Sequence, residues 1–129
     1  MPVDKNKIIK LTGYLYEFDI AELPLIKSSI QDLDDYLYYS TPITSGAIYE
    51  NKISFQYEST TDYWGAFIKG FIYENDKTFL GKVNYLKEAN QDPDDIRGKY
   101  TTTESGIFIY GQWESDGQRY GFAVDLKQN

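Results

Sequence analysis

From Lys52 to Glu58 apolar and polar side chains alternate without interruption, with Ile53, Phe55 and Tyr57 on one side and Lys52, Ser54, Gln56 and Glu58 on the other. A period of two marks a half-buried strand. The same period puts Tyr14, Tyr16, Phe18 and Ile20 on one face of an earlier strand. Alternation and turn residues together predict strands near 8–20, 44–49, 52–59, 63–74, 78–87, 97–103, 106–114 and 119–127, with one longer loop at KEANQDPDDI. Strands in such a series close into an up-and-down antiparallel barrel, which removes exposed edges. The expectation is therefore a mainly β chain, a single antiparallel up-and-down β-barrel of about eight strands spanning residues 1–129.

One segment breaks the pattern. In LPLIKSSIQDLDDYLYYSTP, Ile26, Ile30, Leu33 and Leu37 recur at helical spacing, Ser29 and Asp32 resemble a capping box, and Thr41-Pro42 supplies a stop. These signals predict one short helix of about three turns after the first strand. Its opposite face would carry Asp32, Asp35, Tyr36 and Tyr39. Such a set is ordinarily a solvated face. It also suits partner binding, since tyrosine is enriched at interface hot spots and carboxylates steer a basic partner.

Two stretches repeat. Shifting by 41 residues aligns Gly65, Phe67, Ile68, Gly70 and Val83 with Gly106, Phe108, Ile109, Gly111 and Val124. Both copies read strand, tight turn, strand, with Asp116-Gly117 a strong hairpin signal. The glycine-flanked hairpins Gly65 to Tyr85 and Gly106 to Leu126 resemble the calycin type of barrel found in lipocalins and avidin-like proteins, although the Gly-x-Trp spelling at Gly111-Gln112-Trp113 lies on the seventh predicted strand and not the first. That resemblance implies a barrel able to hold one small apolar or aromatic ligand.

The predicted strands at 63–74 and 106–114 are bulky on both faces: Phe67, Phe71 and Tyr73 oppose Ile68 and Ile72, and Ile107, Ile109 and Trp113 oppose Phe108 and Tyr110. Such strands fill a barrel's interior and leave a second apolar face to be met by the helix or by a partner. Phe55, Tyr57, Phe67, Tyr120, Phe122, Val124 and Leu126 are the expected core.

Composition narrows the chemistry. Aromatic residues make up 17% of the chain, which suits pleated surfaces. There is no cysteine and no histidine, so thiolate chemistry, disulfides and histidine-based catalysis or metal binding have no residues to use. No phosphate loop or nucleophile elbow occurs. Carboxylate pairs drawn from Glu17, Asp19, Glu58, Glu114 and Asp125 are what remains for an enzyme, and strand carboxylates more often face water. Asp92-Pro93-Asp94-Asp95, closed by Gly98, offers oxygen ligands but reads as a turn before a strand. Arg97 and Arg119 suit surface pairing. The expectation is a protein without catalytic residues, metal or cofactor.

Twenty acidic against thirteen basic residues give a net charge of −7, which repels nucleic-acid phosphates and favours a basic partner. Without a segment of signal-peptide or membrane-helix character, the expected setting is the cytoplasm, with no membrane partner. Two functions follow. One is an acidic immunity or inhibitor-type protein that covers a basic, toxin-like partner such as a nuclease through Asp32, Asp35, Tyr36 and Tyr39. The other is a carrier or sensor holding a small apolar ligand against Trp64, Phe67, Tyr110, Trp113 and Arg119.

Overall fold

A computed structural model describes residues 7–58, 65–86 and 92–129. Eight strands follow one another: β1 (Ile9–Asp19), β2 (Tyr38–Tyr49), β3 (Lys52–Tyr57), β4 (Ala66–Tyr73), β5 (Thr78–Tyr85), β6 (Asp94–Thr102), β7 (Gly106–Ser115) and β8 (Gln118–Gln128). Each pairs antiparallel with the next, and β8 returns to β1, so the barrel is closed. The expected architecture is the observed one.

Hairpin chemistry sets the turns. Asp116 and Gly117 both take positive φ, 52° and 78°, the geometry that matches a two-residue turn to strand twist. One residue in each of two other turns also takes positive φ, Glu50 between β2 and β3 and Lys77 between β4 and β5, each at 56°. β2 and β6 begin earlier than their alternation indicates. Pro42, the anticipated stop, lies within β2 opposite Tyr14; pairing with β3 starts only at Ile43, so the missing N–H breaks no bond to β3.

The interior is filled with side chains. Leu11, Leu15, Ile53, Phe55, Ile68, Phe79, Ile109 and Phe122 are buried to within 2% of complete, and Phe79 meets Phe122 edge-on at 6.5 Å across the centre. Room for these rings comes from glycine: a Cβ on Gly70 would lie 2.7 Å from the Phe79 ring. Among the described residues no polar or charged side chain is buried.

Burial differs from the expected core at two residues, Phe67 and Tyr120. On β4 the inward set is Ala66, Ile68 and Ile72, leaving Phe67 outward and half-buried. Tyr120 shares the inward phase of β8 but sits at the barrel's rim, opposite Trp113 and Asp19, and is 45% exposed. On β1, likewise, Ile9, Leu11 and Leu15 point in, and Tyr14, Tyr16 and Phe18 form the outer face.

The helical segment after β1 is present as three short 3-10 turns, Ile20–Leu25, Ile30–Asp32 and Asp35–Leu37, in place of one continuous helix. The capping box is there: Ser29 Oγ accepts from the Gln31 N–H, and Asp32 Oδ2 accepts from the N–H groups of Lys27, Ser28 and Ser29 at 2.8 to 3.2 Å. Those local bonds compete with helix propagation, and the chain is extended at Leu33 and Asp34. The apolar spacing serves the turns as well as it would a helix. Ile26, Ile30 and Leu33 are buried against Phe18, Phe108 and Ala123, forming a second, outer core. This strap covers the second apolar face that the bulky β7 strand needs to bury.

Candidate functional site

Where the strap ends and β2 begins, β1 and β2 present tyrosines outward. Tyr16 meets Tyr38 edge-on at 5.3 Å and lies 6.4 Å from Tyr14, so three rings run as a ladder over the β1–β2 surface. The Tyr38 hydroxyl donates a long bond of 3.5 Å to Asp35 Oδ1. Asp125 of β8 lies opposite Tyr14 in register. Burial, followed by the charge of Asp125, holds the Tyr16 phenol above its ordinary pKa, so it stays a neutral hydrogen-bonding group. Tyr36 is 83% exposed and Tyr39 82%.

The four residues assigned to a partner-binding face are brought together in part. Asp35 and Tyr36 stand side by side at the strap's end. Asp32 is exposed, but its carboxylate is engaged by three backbone N–H groups, which hold it below the usual carboxylate pKa. Tyr39 follows Tyr38 in a strand and so turns to the other face, opposite Glu17. Tyr14, Tyr16 and Tyr38 were not among the assigned residues. Their i, i+2 spacing on β1 was visible, but that Tyr38 begins a strand beside them depends on the strap being short.

The described members of the ligand set do not converge. Trp64 lies outside the described residues. Phe67 faces outward on β4; Tyr110 is on the outer face of β7, stacked on Phe108 at 5.6 Å; Arg119 is exposed opposite Glu114. Of the described members of the set, Trp113 alone points inward, at the rim, 6% exposed. Its indole N–H donates to the Tyr85 hydroxyl at 3.1 Å, and that hydroxyl donates to Asp94 Oδ2 at 2.7 Å. Burial first, then the bond to Asp94, pushes the Tyr85 phenol well above its ordinary pKa. This chain of partnered polar atoms closes the rim between Tyr57, Tyr85 and Trp113.

The carboxylates considered for catalysis are distributed. Asp19 accepts from the Ala21 N–H at 3.0 Å, Glu114 accepts from Gln112 and lies 3.7 Å from Arg97, Asp125 is beside Tyr16, and Glu17 and Glu58 are exposed on β1 and after β3. Asp94 and Asp95 are strand residues with different partners, Tyr85 and Lys82. Among the described residues no group of three or more acidic side chains is placed to hold a metal ion. No helix among them is long and apolar enough to cross a membrane. None of the family models, curated proteins or solved structures compared with the chain matches it.

Proposed function

We propose that this protein is a non-catalytic binding domain of the immunity or inhibitor type, acting in the cytoplasm, whose acidic tyrosine face covers a basic surface of another protein. The observation that carries the reading is the exposure of Tyr36, 83%, beside Asp34 and Asp35 and next to the Tyr14–Tyr16–Tyr38 ladder. Tyrosine supplies large, rigid contact area with few rotatable bonds, and an exposed cluster of such rings is what an interface core uses. The net charge of −7 adds long-range attraction for a cationic partner. A nuclease-type toxin fits, because an active site that holds phosphates is itself basic. A filled interior favours this over storage of a ligand inside the barrel.

The test is capture of partners by the wild-type chain and two variants, followed by binding kinetics with the captured protein. Asp35→Lys is expected to slow association and reduce its salt dependence while leaving the melting temperature nearly unchanged. Tyr36→Ala is expected to speed dissociation about tenfold or more by removing a packed ring. Partners that are acidic, or kinetics indifferent to both substitutions, would sink the reading.

A further inference from the structure

The two hairpin copies have different fates on their outer sides. In β7–β8 the outward Phe108 and Ala123 lie beneath the strap, 2% and 0% exposed. In β4–β5, the related hairpin, Phe71, Tyr73 and Leu80 are 43%, 48% and 45% exposed. They line a groove of about 440 Å³ running over β4 to β7. In register, Phe71 faces Leu80 and Leu80 faces Arg97, so an apolar floor leads directly to a guanidinium.

The charge of this groove is opposite to that of the chain. Lys69, Lys82 and Arg97 line it against Asp95 and Glu114, whereas the whole protein has 13 basic and 20 acidic residues. Lys69 stands directly opposite Lys82 across β4 and β5. Like charges in that relation are unfavourable, and an incoming carboxylate relieves them. The existing pairs, Lys82 with Asp95 and Arg97 with Glu114 at 3.7 Å, are solvent-exposed and contribute little, so exchanging them for a ligand's carboxylates costs little.

We propose that the outer face of β4–β6 is a docking groove for an acidic segment of a partner protein that carries apolar side chains at the three- and four-residue spacing of this chain's own strap. The strap is the internal precedent for the apolar part: it seats Ile26, Ile30 and Leu33 against Phe108 and Ala123 on the outer side of the related hairpin, while the basic side chains of the groove select the acidic part. A polyanionic nucleic acid fits less well, since one phosphate per nucleotide meets the net charge of −7 more strongly than a segment with a few carboxylates does, and the groove sets Lys69, Lys82 and Arg97 against Asp95 and Glu114 rather than forming a continuous basic track. The groove is separate from the tyrosine face, so each can fail without the other.

A fluorescently labelled synthetic peptide of residues 19–37 is the probe, titrated with the full-length protein and followed by anisotropy. Saturable binding that weakens as salt is raised is expected. Leu80→Glu and Lys69→Glu, both at exposed positions, should each weaken it at least about tenfold with an unchanged circular dichroism melt. Lys69→Glu keeps the test decisive if Leu80→Glu fails to fold. Absence of saturation up to about 1 mM peptide overturns the proposal. So does binding that ignores both groove variants but rises with Leu33→Ala, which would mean exchange with the resident strap. A labelled oligothymidine that binds more tightly than the peptide and is lost with the same variants would overturn it in favour of nucleic acid. Concentration-dependent dimerisation abolished by Leu80→Glu, without peptide binding, would overturn it in favour of a second copy.

Discussion

Asp32 does more for the strap than its position on an exposed turn suggests. Its carboxylate gathers the N–H groups of three consecutive residues, which is why its pKa lies below the ordinary value of 3.8. A group stabilised as its anion in the folded state contributes fully above the unfolded pKa and loses that contribution as pH falls through the folded one. Asp32→Asn is therefore expected to lower the melting temperature at pH 6 and to flatten its decline below about pH 4. Melts between pH 2 and 6 check this; parallel curves for the two proteins would refute it. Tyr85 shows the opposite sense at the rim. Its raised phenol pKa contributes below the ordinary value of 10, and the contribution is lost as pH rises beyond it. Tyr85→Phe leaves the Trp113 indole without its acceptor and Asp94 without its donor, at a cost of about 1–3 kcal/mol. Denaturant unfolding measures the cost, and a cost near zero would mean that water replaces the phenol.

At the scale of elements, the strap and the barrel wall are interdependent. The first half of strand β7 is buried on both sides, Ile107 and Ile109 inward and Phe108 outward. The strap supplies the cover through Leu33, 3% exposed, together with Ile26 and Ile30. Gly121 shows how close the layers approach, since a Cβ there would run into the Phe18 ring. Leu33→Ala is expected to cost about 2–5 kcal/mol, a core-like value for a residue outside the barrel. Urea denaturation gives the number, and a cost below about 0.5 kcal/mol, typical of surface sites, would show that the strap is a loose cover. Capping and apolar spacing, but not Thr41-Pro42, which lies inside β2, made the segment's helical character legible. Its division into 3-10 turns was not, because the same spacing serves both forms and the serine and aspartate side chains act only through local backbone bonds.

For the whole molecule the decisive contact is the seam that joins β1 to β8. Leu11 pairs with Gln128 and Asp19 with Tyr120, so closure brings together the two ends of the chain. Contacts of such sequence separation make folding slow, on a scale of about milliseconds to seconds. Stopped-flow refolding tests this, and relaxation in microseconds would contradict it. The seam is also intolerant of bulk: a Cβ on Gly13 would collide with the Asp125 carbonyl. Gly13→Val is expected to cost about 3 kcal/mol or more and to slow closure further. A variant with wild-type stability would mean that the seam shifts register to accommodate it.

Period two and the Asp116-Gly117 turn were enough to indicate an antiparallel barrel of about eight strands, and the bulky double-faced strands to indicate a second apolar face in need of cover. Local patterns suffice for that because strand period, turn type and side-chain volume are properties of near neighbours along the chain. That the barrel closes around a filled interior was decided by tertiary packing. Alternation divides a strand into two faces but does not say which one points inward. That choice belongs to closure, and it turned Phe67 outward and left Tyr120 at the rim. The candidate sites depended still more on the assembled fold. Asp32 and Asp35 look alike in sequence, yet one caps a turn while the other stands beside Tyr36 and Tyr38. Lys69, Lys82 and Arg97 are scattered through an acidic chain, and only the register of β4, β5 and β6 gathers them around Phe71 and Leu80. Register is set by which strands meet, and that is decided by packing between residues far apart in the sequence.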